Sequence, residues 1–141
     1  MMEAKELIRR YSAGERDFAG ATLSRADLRG ANLHGANLSE ADLRWATLRR
    51  ANLSGANLRQ ANLQEAVLTE ASLSDVEAAG ANLSWTDLQQ ADLSRAKLNQ
   101  AKLTRADLSH AKLNLAELKK ADLSEAILAE TDFSLANLSG A

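Results

Sequence analysis

The chain has 141 residues, with 17 Lys and Arg against 19 Asp and Glu and a formal net charge of -2. That near-balance gives no electrostatic basis for binding nucleic acid directly. With no Cys and only His34 and His110, a disulfide framework, a thiolate nucleophile, Cys-bound zinc and an all-His metal site are excluded, and no cofactor is expected.

Residues 2–13 read as an α-helix. Ala4, Leu7, Ile8 and Tyr11 follow the i, i+3, i+4, i+7 spacing of one apolar stripe. Gly14 suits the helix stop, with Glu3 and Glu6 near the positive end of the helix dipole and Arg9 and Arg10 near the negative end. The expected role is to cover the open end of the repeats that begin near Phe18. The mixed charge of its polar face does not fit a membrane-surface helix. Met1–Glu6 leads into no apolar stretch, so it is not read as a secretory signal, and no run is long enough to span a bilayer.

From Phe18 to Leu138 an apolar residue recurs every five positions, 25 in all: 22 Leu, Phe18, Phe133 and Ala78. From Ala21 to Ala136 a small residue stands two places before each of the last 24, apart from Val76, Thr86 and Thr131. The unit is A-(D/N)-L-x-x. Its composition would suit a long helix, but a five-residue step turns about 140° around a helix and leaves no apolar stripe. A flat strand fails as well, since residues five apart point to opposite faces. If the chain instead turns a corner after each unit, every Ala and Leu points to one axis. Four corners close a 20-residue coil, and coils stack about 4.8 Å apart. Twenty-five units make a little over six coils.

This pattern resembles the pentapeptide-repeat family over residues 16–141. The resemblance implies an all-β solenoid, a right-handed quadrilateral β-helix, with residues 1–15 as its α-helical cap. The segment Ala13-Gly14-Glu15-Arg16-Asp17-Phe18 is similar to one in small cyanobacterial members, which implies a bacterial cytoplasmic setting. Some relatives imitate DNA and protect type II topoisomerases such as DNA gyrase through a continuous acidic surface. Here the four faces sum to +1, 0, -2 and -1, and none is strongly acidic.

The segment 76–80 alone lacks a large central residue. Val76 replaces Ala while Ala78 replaces Leu, a compensated volume swap, although Ala-Ala-Gly also permits a loop. Residues 96–115 place Lys97, Lys102 and Lys112 in the Asp/Asn position, beside Glu77, Glu117, Asp122, Asp92 and Asp132 in the flanking coils. They read as charge pairs that fix register.

A column of residues 20 apart runs Arg25, Trp45, Glu65, Trp85, Arg105, Glu125. Both indoles should lie outside under flanking arginines, so Trp45 and Trp85 are the candidate contacts for an unidentified protein partner. Asp87 and Asp107 stack with His110 one corner away, too few oxygens for a cation site. His34, Ser54, Ser74, Ser94, Asn114 and Ser134 form a flat polar column. Neither His is expected beside a nucleophile, and a Leu-filled rod offers no substrate pocket, so no enzyme is read here. The C-terminal coils carry Leu115, Ile127, Phe133, Leu135 and Leu138, the candidate surface for end-to-end pairing with a second copy. The leading expectation is a non-enzymatic interaction module or scaffold. The alternatives are a topoisomerase-protecting DNA mimic and a structural stub of a larger assembly.

Overall fold

A computed structural model describes residues 1–141. Its one helix, α1, spans Ala4–Ser12, two residues short of the expected start. Glu3 is extended, at φ -72° and ψ 146°. Met2 donates its N–H to the Thr22 carbonyl at 2.9 Å, so this stretch pairs with the first coil instead of winding. At the other end Gly14, at φ +102°, donates to Tyr11 O at 3.0 Å, and Glu15 N–H reaches back to Arg10 O at 3.0 Å. These two bonds are a Schellman stop, and glycine alone takes that φ without strain. Leu7 is fully buried, while Ala4, Ile8 and Tyr11 pack half-buried on the core.

Beyond the helix the chain is all corners. Parallel bridges join residues 20 apart without slippage, from Asp17↔Asn37 to Glu117↔Asn137. Each coil therefore has four five-residue sides. The central Leu and the preceding Ala form a continuous buried core through the middle of the rod. Thr86, where an Ala is expected, satisfies its buried hydroxyl by donating to Leu83 O at 2.7 Å, as burial of a polar group requires.

Residues 41–46 show why the repeat has its form. Asp42 N–H donates to Ala21 O in the preceding coil (2.9 Å), while Leu43 and Trp45 donate to Asn62 O (2.7 Å) and Gln64 O (3.1 Å) in the next. Ala46 N–H closes the corner onto Leu43 O at 3.1 Å. That leaves Arg44 N–H, which donates to the Asp42 side-chain Oδ1 at 3.2 Å. Every backbone donor of the unit is thus satisfied. All fifteen Asp and Asn residues in this position accept the same local bond. The repeat's D/N preference is a backbone requirement.

The fifth residue of every unit has positive φ, between 54° and 62° at 19 non-glycine positions and between 66° and 70° at six glycines. With φ positive only at the second central residue, each corner follows the type II pattern. A non-glycine residue there carries about 1 kcal/mol of strain or more, which the ladder bonds on both sides hold in place.

The segment 76–80 is a regular side and not a loop. Val76 and Ala78 are buried, Glu77 bridges Asn57 and Lys97, and Ala78 N–H donates to Lys97 O at 2.8 Å. The Gln60 side chain lies across Gly80, where an added Cβ would collide with Gln60 Nε2.

Candidate interaction surface: the tryptophan column

Trp45 and Trp85 both occupy corners, at φ 58° and 62°. The corner geometry carries their side chains away from the core, and they are 38% and 52% exposed. The Arg25 guanidinium lies 4.7 Å from the centre of the Trp45 ring, and Arg105 lies 4.6 Å from that of Trp85. Arg44 adds a second cation at 5.2 Å from Trp45. Column arithmetic missed it because Arg44 belongs to the same unit as the indole. Each such contact contributes about 0.5–1 kcal/mol at an exposed site.

Two of these arginines are themselves held. Arg44 bonds both carboxylate oxygens of Asp42, at 2.8 and 2.7 Å, and that pairing holds the Asp42 carboxyl below its ordinary range. Arg105 donates to Glu125 at 2.8 Å. The column therefore presents two broad, rigid apolar faces rimmed by fixed charges. Side chains of this kind dominate contact energies at protein interfaces.

The other candidates resolve differently. Lys97 pairs with Glu77 at 3.0 Å, and Arg59 joins the same carboxylate at 2.7 Å. Lys102 and Lys112 keep the expected register with Asp122, Asp92 and Asp132 but form no ion pair, a correction to the sequence reading. Their long side chains stay in solvent, where holding one geometry costs more than an exposed pair returns.

Asp87 and Asp107 do stack. Asp87 Oδ1 accepts from Gln89, and Asp107 Oδ1 accepts from the Ser109 N–H and hydroxyl. No third metal-binding side chain joins them. His110 pairs with Glu130 at 3.0 Å.

His34, contrary to expectation, does touch a hydroxyl: its Nδ1 lies 2.8 Å from Ser54 Oγ. Ser54 donates its proton to Asn52 Oδ1 at 2.6 Å, so the imidazole acts as donor and not as a base toward Ser54. Ser94, in the same flat polar column, is buried and not at the surface. It is 8% exposed, with Oγ 2.6 Å from Asp92 Oδ1 and 2.8 Å from Asn114 Oδ1.

Among the C-terminal candidates Leu115, Ile127 and Leu138 are exposed, Leu135 is 84% exposed, and Phe133 is half-buried on the core. They do not make one patch. Leu115 and Leu135 share a column 20 residues apart, whereas Ile127 stacks on Asp107 on another side.

The family model for pentapeptide repeats matches in eight copies, over residues 17–50, 51–90, 79–114 and 116–141. No curated protein matches the chain. Among solved structures, the fold is similar to HetL from the cyanobacterium Nostoc sp. Strain PCC 7120, described as involved in heterocyst differentiation regulation. The two are 27% identical with a TM-score of 0.62, over 99% of this chain and 94% of that one. The protein alr5209 from Nostoc PCC 7120 is 36% identical at a TM-score of 0.52, over 89% and 94%. QnrB1, a plasmid-mediated fluoroquinolone resistance protein, is 25% identical at a TM-score of 0.55, over 86% of this chain and 64% of that one.

Proposed function

Because the chain belongs to the pentapeptide-repeat family, whose members form right-handed quadrilateral β-helices, we propose that it is a non-enzymatic interaction module. In this reading it is a rod of six coils, closed by α1, that holds a protein partner in the cytoplasm. The observation that carries the proposal is the tryptophan column. Two indoles stand outward on strained corners, each fixed by a guanidinium, and no fold requirement places them there, since Glu65 and Glu125 occupy the same column. A second copy of the chain is proposed to pair through the C-terminal coils, which carry Leu115, Ile127, Phe133, Leu135 and Leu138.

The test is comparative capture from a lysate of the native host, using the unaltered protein and the Trp45→Ala/Trp85→Ala variant. A protein retained by the first and lost with the second supports the reading. Identical sets of retained proteins would contradict it.

The likeness to QnrB1 supports one second reading, protection of a type II topoisomerase. Against it, several of the carboxylates that would form an acidic surface are neutralised by Arg29, Arg44, Arg50, Arg59, Arg95 and Arg105. A gyrase supercoiling assay with a fluoroquinolone separates the two. Protection at near-stoichiometric protein would favour the second reading.

A further inference from the structure

The stretch Arg25, Trp45, Glu65, Trp85, Arg105 of the tryptophan column runs through successive coils, and each step is one coil, about 4.8 Å. Arg25 lies over Trp45 from the coil before it at 4.7 Å, and Arg105 lies over Trp85 from the coil after it at 4.6 Å. These distances match the coil spacing, so the column alternates cation and ring at one coil per step. Arg44, the third cation beside a ring, belongs to the coil of Trp45 itself and is tied to Asp42.

Glu65 breaks the alternation. It takes the step between the two indoles, and no Lys or Arg of its own coil reaches either ring. An indole face carries the negative part of the ring quadrupole, so a position between two rings favours positive charge over a carboxylate. Glu65 is exposed, on a corner at φ 58°, and forms no ion pair within the chain. Glu125, the other acid of the column, does pair, with Arg105 at 2.8 Å. Two aromatic faces and an unpaired carboxylate are the groups that receive a cation.

We infer that Trp45, Glu65 and Trp85 receive an arginine side chain of a protein partner. A guanidinium seated on the Glu65 carboxylate lies one coil from each indole, inside the roughly 6 Å reach of a cation–π contact. Arg25 and Arg105 already hold guanidinium groups at this distance from the same rings. Bidentate bonding to a carboxylate combined with stacking on aromatic faces is a property of arginine that lysine lacks. Arg44 and Arg105 oppose the incoming charge little, because Asp42 and Glu125 neutralise them. Arg25 stands two coils from Glu65, about a Debye length away at physiological salt. This inference rests on the interaction-module reading and names the group that the column takes from its partner.

The test uses the full chain, ¹⁵N-labelled, in which the two indole N–H signals report on the site separately. The probe is acetyl-Gly-Arg-Gly-amide, titrated at constant ionic strength. Both indole signals should move together and saturate in the millimolar range, whereas the citrulline peptide, similar in shape but uncharged, should move neither. Glu65→Gln should weaken binding about tenfold, as loss of a hydrogen-bonded charge does. That variant is expected to fold because Gln60, Gln90 and Gln100 occupy equivalent corners at φ 58–62°, and the amide signals of distant coils report whether it has. Trp85→Leu, at a corner of the kind that Leu115 and Leu135 occupy, should weaken binding roughly two- to fivefold, the size of one exposed cation–π contact. The inference is overturned if neither indole signal moves, or if the citrulline peptide or the Glu65→Gln variant binds equally well. Capture separates it from the reading it rests on. A partner retained by Glu65→Gln but lost with Trp45→Ala/Trp85→Ala overturns the arginine site and leaves the interaction module standing.

Discussion

Replacing Asn62 with Ala tests the role assigned to the Asp/Asn position. The Gln64 N–H makes one hydrogen bond, to Asn62 Oδ1 at 3.1 Å, while the Asn62 backbone is held separately by Ala41 O and Leu43 N–H. Truncation therefore removes one local acceptor and leaves the ladder intact. A helix N-cap loses about 1 kcal/mol in the equivalent change, and a typical net hydrogen bond is of the same size. Asn62→Ala is expected to cost about 1 kcal/mol, or roughly 3–5 °C in melting temperature for a chain of this size. Asn62→Asp keeps the acceptor and should change stability by less than about half of that. The reciprocal variant is Thr47→Asn, at a unit where Arg49 N–H has no protein acceptor; it should gain up to about 1 kcal/mol. Thermal melts of the three variants decide the matter. If Asn62→Ala and Asn62→Asp are equivalent, or if Thr47→Asn destabilises, the side-chain bond is incidental to the repeat.

Three further outcomes are expected. Leu93→Asp should abolish the cooperative melt, because a carboxylate would lie unpaired among fully buried leucines. An exposed corner change such as Gln100→Asp should be tolerated. In acid, Asp27 and Asp42 have carboxyls held below the ordinary range by Arg29 and Arg44, and Asp122 and Asp132 by the hydroxyls of Ser124 and Ser134. Depressed folded-state values mean that their contribution is complete above the unfolded value near pH 4 and is lost as pH falls through the folded values. Melting temperature should therefore drop below about pH 4, and less steeply when these four are Asn; an unchanged acid limb would contradict the assignment. In sedimentation the 141-residue chain should self-associate at tens of micromolar, with Phe133→Lys/Leu138→Lys shifting it to monomer; a monomeric unaltered chain would remove the second-copy proposal.

The sequence made the coil legible because a five-residue apolar period has few structural solutions. The same arithmetic placed Trp45 under Arg25 and Trp85 under Arg105. The positive-φ corners were not legible. Glycine signals that geometry at Gly30 or Gly55, but most corners carry Glu, Arg, Gln or Trp, residues chosen by the surface and tolerated because the ladder fixes their backbone. The buried setting of Ser94 and the free Lys102 and Lys112 were also beyond column counting. Neighbours in a column share a register, yet side-chain reach and local bonds decide which of them touch.

The most direct measurement is the distance between two residues of one column, since the tryptophan surface depends on that stacking. The chain has no Cys, so Glu40→Cys/Lys120→Cys can be spin-labelled uniquely at two corners, four coils apart. Double electron–electron resonance should give a narrow distribution centred near 20 Å, four times the strand spacing of about 4.8 Å. The same 80-residue separation along a continuous helix would be roughly 120 Å. A distribution that is broad or centred well beyond 40 Å would contradict the stacked coil and everything built on its columns.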